Sequence, residues 1–170
     1  MAEFTNEGIQ EFVDLCIFTD RQLERVIGRS IYPGGKLVAN AVKKAIEGIH
    51  TDDHLFKFAA KYDRLRTGPT KREKAWIAKS FGIAEIRRNI HGWNVKLGFD
   101  GYSDIQTTNP KIKMGVLPNA LIARSVNSGT SFMAAQPFMD ISVRQNTQAC
   151  EKAIEEQFDK EIAKIWERYK

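Results

Sequence analysis

The chain is poor in the residues that carry most protein chemistry: its 170 residues include 2 cysteines, 3 histidines and 5 prolines. Cys16 and Cys150 lie far apart, each inside an apolar helical pattern, which reads as two buried free thiols rather than a disulfide or a metal pair. No Gly-x-Ser-x-Gly, P-loop, Cys-x-x-Cys or His-Glu-x-x-His pattern occurs, so nucleophilic, phosphoryl-transfer and zinc chemistry lack their usual supports. His50, Asp52, Asp53 and His54 are ligand types at close spacing, yet Thr51-Asp52-Asp53 reads as a helix N-cap and no further ligand cluster joins them. Carboxylates are plentiful, but spacing singles out no pair for acid–base work. The expectation is a protein that is not an enzyme, with no catalytic residue, cofactor or metal.

Long apolar runs are missing as well. No stretch approaches the roughly 18 residues of a membrane span, and the first seven residues lack the basic and apolar regions of a signal peptide. No membrane and a cytoplasmic site of synthesis and use are expected. There is no internal repeat and no low-complexity tract. A net charge of +5 permits contact with nucleic acid or an acidic partner without demanding it. A hydrophobic content of 42% suffices for one core of ordinary size.

What is present is mostly helical at the two ends. Asn6 can cap a first helix whose Ile9, Phe12, Val13, Cys16 and Ile17 share a face, with a stop near Phe18. Thr19-Asp20-Arg21-Gln22 has the capping-box pattern of a second helix carrying Leu23, Val26 and Ile27, and Pro33-Gly34-Gly35 then interrupts the chain. A third helix follows, with Leu37, Val38, Ala41, Val42, Ala45, Ile46 and Ile49 on its apolar side. A weaker helical period runs from Leu55 to Leu65, and Lys71 to Phe81 suits a short helix.

In the middle the period becomes two. Trp93, Val95, Leu97 and Phe99 alternate with polar or small residues, as do Ile112, Met114 and Val116, which predicts two half-buried strands. Asp100 to Pro110 between them is too long for a tight turn and reads as an exposed loop.

The C-terminal quarter is the most informative. Ser128 to Phe138 is a loop holding Gly129-Thr130 and ending in Pro137-Phe138, which opens a long helix. Pro137 suits a first turn, where its missing N–H would have no partner. Met139, Val143, Thr147, Cys150, Ile154, Phe158, Ile162, Ile165 and Tyr169 form one mostly apolar stripe, and Lys164, Arg168 and Lys170 suit the negative end of the helix dipole. From Phe138 to Tyr169 such a helix is roughly 45 Å long, longer than a small domain is wide, so part of it is free to meet another subunit.

Basic and aromatic residues interleave between positions 71 and 96: Lys71, Arg72 and Lys74 precede Trp76, and Arg87, Arg88 and Lys96 surround Trp93. Such a patch can touch phosphates without reading bases, or it is the solvated face of short elements.

The order of a core helix, the Phe81-Gly-Ile-Ala-Glu-Ile-Arg-Arg-Asn-Ile90 segment, two strands, Gly129-Thr130, Pro137-Phe138 and a terminal helix resembles the tail-completion and neck proteins of long-tailed bacteriophages. This is the gene-product-ten-like family of lambda-like phages, to which the minor tail protein Z group is related. Gly129, Thr130, Pro137 and Phe138 match its signature, and the likeness covers Leu37 to Lys164. It implies an α+β fold, a small antiparallel sheet packed with a core helix and a long C-terminal helix, with extra helices at the N-terminus. A helical extension over 1–35 then precedes a tail-completion-like domain over 36–170. It also implies a structural protein, made in the host cytoplasm and incorporated into the virion, that forms a homo-oligomeric ring such as a hexamer and meets tail-tube and head–neck connector proteins. The expected interface residues are Gly129, Thr130, Pro137, Phe138 and Met139, with the segments 100–110 and 129–136 reaching a neighbour. Lys71, Arg72, Lys74, Arg87, Arg88 and Lys96 are the candidates for facing DNA in a lumen. The competing expectation is a cytoplasmic, sequence-independent DNA-binding or regulatory protein that uses residues 71–96.

Overall fold

The computed structural model describes residues 6–53, 66–90, 92–108, 110–112 and 114–167, without the side chains of 6–21 and 166. In chain order the elements are α1 (Asn6–Glu47), α2 (Lys71–Ser80), β1 (Phe81–Ile83), β2 (Arg87–Asn89), β3 (Gly92–Asn94), β4 (Leu97–Phe99), β5 (Tyr102–Gln106), β6 (Val116–Pro118), α3 (Asn119–Ser128) and α4 (Phe138–Glu167). The fold class is α+β: small two-stranded antiparallel sheets packed with helices, one of them long and C-terminal.

α1 is built on a row of every fourth residue. Val26, Ser30, Gly34, Val38, Val42 and Ile46 are all buried. A row of that spacing drifts by about 40° per step around a helix, so it does not face one partner throughout. At Gly34 it meets α4. Further on, Val38, Val42 and Ile46 enter the main core with Ile77, Phe81, Ile122, Val126 and Phe138. α4 runs antiparallel to α1: Arg29 pairs with Glu161 near one end, and Gly34 lies against Cys150 and Ile154 farther along.

The expected break at Pro33-Gly34-Gly35 does not occur, and neither does the expected stop near Phe18 with a new cap at Thr19; one helix spans them all. A proline inside a helix removes a hydrogen bond and costs about 3 kcal/mol, so something must offset it. The two glycines are where that offset comes from. A Cβ on Gly34 would sit 2.6 Å from Cγ1 of Ile154 and 2.9 Å from the Cys150 carbonyl oxygen, and one on Gly35 would sit 2.9 Å from Cγ1 of Val95. The helix is therefore gripped at adjacent residues by α4 and by the strand region. The expected division between 1–35 and 36–170 falls inside this element.

The strands after α2 make one long hairpin. Phe81 pairs with Phe99 and Ile83 with Leu97, while Arg87 pairs with Asn94 and Asn89 with Gly92. The register shifts by one because Ala84 to Ile86 oppose only Val95 and Lys96, which is the geometry of a bulge. The inner half, with Phe81, Leu97 and Phe99, packs on the core. The outer half lies along α1, where the Trp93 ring stands 3.7 Å from the Cβ position of Gly28. At its end Ile90 is 94% exposed.

β5 and β6 form a second hairpin. Residues 100–110 are thus not all loop, and the strand expected over Ile112 to Val116 begins only at Val116. Ser103 points inward, is buried, and donates from its hydroxyl to the Leu117 carbonyl at 2.9 Å. An inward polar residue of that kind weakens the apolar alternation by which a strand is recognised. The helical period over 55–65 lies outside the described residues, as does Tyr169. Along α4 the inward row is Phe138, Ser142, Cys150, Ile154 and Phe158, so Val143 and Thr147, expected on the stripe, face outward.

Candidate assembly surfaces

The loop from Gly129 to Phe138 is held by its own geometry. Gly129 ends α3 at φ 74°, a conformation that favours glycine, and a Cβ there would lie 2.9 Å from the Ala135 nitrogen. Thr130 and Met133 exchange backbone hydrogen bonds across a tight turn that buries Met133 and leaves Phe132 at its corner 51% exposed. The Arg66 backbone N–H donates to Phe132, and the Ala134 N–H donates back to Arg66.

Gln136 closes the loop onto two distant segments. Its amide nitrogen donates to the carbonyls of His50 and Thr67, each at 2.9 Å, and its oxygen accepts from the His50 N–H at 2.9 Å. Gly68 is required beside it, because a Cβ there would be 2.1 Å from the His50 oxygen. Asn127 sets the start of α4 by accepting from the Met139 N–H at 3.0 Å and donating to Asp140 at 2.8 Å.

The five residues expected at an interface therefore divide. Gly129 and Thr130 shape the turn, and Pro137 is exposed. Phe138 is buried in the chain's own core, edge-on to Phe99 with ring centres 6.3 Å apart, and Met139 packs against the same core. Neither Gln136 nor Asn127 is singled out by sequence, because a lone amide in a loop or at a helix end carries no periodic signal. α3 also escapes the sequence reading, although Asn119, Ile122, Ala123 and Val126 stand at i, i+3, i+4 and i+7.

The basic segment is largely tied down within the molecule. Lys74 donates to the carbonyls of Glu47 and Ile49 at 2.7 and 2.9 Å, capping the end of α1. Arg72 forks onto Asp104 at 3.1 and 2.7 Å, and the Trp76 indole donates to the same carboxylate at 2.6 Å. The hydrogen bond from Arg72 holds the Asp104 carboxyl below the usual carboxylate range and raises Arg72 in turn. Lys71 pairs with Asp53 at 3.2 Å, and the Lys71 backbone N–H also donates to that carboxylate and lowers its pKa. Asp52 accepts from the N–H and hydroxyl of Thr67. The acids proposed as an N-cap thus hold the approach to α2. Arg88 pairs with Glu24 across the outer hairpin. Arg87 and Lys96 stand exposed, with no ion pair to another described residue.

Two grooves flank α1. One, of about 700 Å³, lies between α1 and the outer hairpin, with Tyr32, Ile86 and Trp93 as apolar walls and Glu24, Arg25 and Arg29 beside them. The other, of about 570 Å³, lies between the C-terminal part of α1 and the start of α4, where Ala41, Ala45, Pro137 and Ile141 meet. Burial raises the pKa of the half-buried Cys150 thiol. Among the described residues no group of three or more His, Cys, Asp or Glu could hold a metal ion. No described helix is long and apolar enough to cross a membrane. Comparison with protein-family models, curated proteins and solved structures finds no match.

Proposed function

We propose that the chain is a structural virion subunit of a long-tailed phage or prophage, one that completes the tail and joins it to the head–neck connector as a member of a ring. The observation that carries this reading is the set of exposed apolar side chains on separate projections: Ile90 at one hairpin end, Met114 before β6, Phe132 in the turn and Ile141 in the first turn of α4. Single exposed apolar residues are ordinary on any protein. These four belong to different elements and turns, which suits a subunit when one of its faces must meet a different face of the next. The Gly129, Thr130, Pro137 and Phe138 signature supports the reading through the resemblance, and its role here is to seat α4. Partners on this reading are further copies of the chain, the tail tube and the connector. DNA passes without being read, with Arg87 and Lys96 as the exposed cations that would meet it. The subunit assembles in the host cytoplasm and ends in the virion.

The second reading, a cytoplasmic DNA-binding or regulatory protein, has less beneath it, because Lys71, Arg72, Lys74 and Arg88 already serve partners within the chain. Sedimentation velocity and negative-stain imaging of the full chain, alone and with a tail-tube protein, separate the two. Closed rings are expected. A stable monomer or dimer with tight, salt-dependent DNA binding overturns the assembly reading in favour of the second.

A further inference from the structure

α4 carries a charge pattern that its own helix does not favour. Glu151, Glu155 and Asp159 stand four residues apart, all exposed, and none has an ion pair to another described residue. Like charges at i, i+4 destabilise a helix by about 0.2–0.5 kcal/mol per pair. The neighbouring Lys152 is engaged with Glu156 instead. The groove between α1 and the outer hairpin has the opposite character: its one acid, Glu24, is paired with Arg88, which leaves two arginines in excess. Arg25 and Arg29 stand beside it four residues apart, so their step along α1 equals the step of the acids along α4. Arg25 is exposed with no ion pair to another described residue, and the Arg29 side chain is 71% exposed with a single 3.4 Å contact to Glu161. Tyr32, Ile86 and Trp93 add apolar surface, with Tyr32 48% exposed.

We infer that this groove receives the acidic row of α4 from a second copy of the chain. A helix laid into a groove with apolar walls and matching charge is a recurrent mode of recognition, in which the charges set register and partner while the apolar contacts supply adhesion. The groove and the row are different surfaces of one chain, so every copy offers one of each and the contact propagates from subunit to subunit. The inference rests on the ring reading above and names the two faces that meet.

Charge reversal on the full chain tests it. Wild-type chain is expected to self-associate in sedimentation velocity, more weakly as salt rises. Arg25→Glu alone places acid against acid, and Glu155→Lys alone places base against base. Each is expected to weaken association on the order of tenfold or more. An equimolar mixture of the two variants restores complementary contacts in alternation and is expected to assemble, which also shows that neither variant is misfolded. Wild-type-like assembly of either variant alone overturns the groove assignment and leaves the ring reading standing. A wild-type chain that stays monomeric at every salt and protein concentration, with and without a tail-tube protein, overturns both. Arg25→Glu that loses DNA binding while self-association is unchanged overturns the assignment in favour of nucleic acid as the occupant of the groove.

Discussion

The α1–α4 pair and the hairpin from Phe81 to Phe99 are both antiparallel and both bury one side, yet they are held by different means. The helix pair is joined by contact so close that Gly34 has no room for a methyl group, and Arg29 pairs with Glu161 farther along. The hairpin is apolar and core-bound only in its inner half. Beyond the bulge it is held by Trp93 over Gly28 and by Arg88 on Glu24, and it ends in a bare isoleucine. Close packing specifies one geometry and tolerates little change. A bulged, partly polar arm tolerates surface change at little cost to the fold. The difference separates the part of the molecule that determines stability from the part available for contact.

Substitutions can break or sharpen that division. The largest effect belongs to the core end of α1: Ile46→Ala, at a side chain 1% exposed, should cost about 2–5 kcal/mol in chemical denaturation. Gly34→Val comes next, since a larger side chain there must push the helices apart, and about 1–3 kcal/mol is expected. A neutral result would mean that the two long helices are not in tight contact. Gln136→Ala removes three hydrogen bonds at an exposed site and should lower stability by about 1–2 kcal/mol, with hydrogen exchange faster at His50.

The ion pair at the helix seam makes a prediction in pH. The hydrogen bond from Lys164, and after it the one from Arg29, hold the Glu161 carboxyl below its ordinary value of 4.5. A carboxyl lowered in the folded state contributes stability above its unfolded pKa and loses it as pH falls through the folded value. Glu161→Gln should therefore lower the thermal midpoint at pH 7, and the gap to wild type should close as pH falls below the ordinary carboxylate range. A gap that stays constant would show that Glu161 acts by packing alone. The smallest effect on folding belongs to the arm: Ile90→Ser should change stability by no more than about 0.5 kcal/mol while altering self-association. A large loss of stability would make the arm part of the core and dissolve the comparison.

How far the chain could be read follows the same division. The terminal helix, the short helix over Lys71–Ser80 and the loop before Pro137 were legible, because their signals are local: a period, a proline at a helix start, a pair of turn residues. The unity of α1 was not, since Pro33, Gly34 and Gly35 are breakers by local propensity and become useful only once α4 and Val95 close on them. The outer hairpin was half legible. Trp93 to Phe99 alternate, but their partner strand, with Ala84, Glu85, Arg87 and Arg88, carries little apolar pattern, and a bulge shifts its phase. At the candidate surfaces, the signature residues were visible while the inward placement of Phe138 and the tie through Gln136 were not. Both depend on segments distant in sequence.

That tie bears on the order in which the chain folds. Gln136 bonds to residues 69 and 86 positions earlier, a separation no local fluctuation can bridge cheaply. α1 and the segments around His50 and Thr67 leave the ribosome long before their clasp exists. The clasp can close only when the loop ahead of Phe138 arrives, and closing it sets the direction in which α4 must run back along α1. Contacts of such long range slow folding, so the seating of α4 is expected to limit the rate at which assembly-competent subunits form.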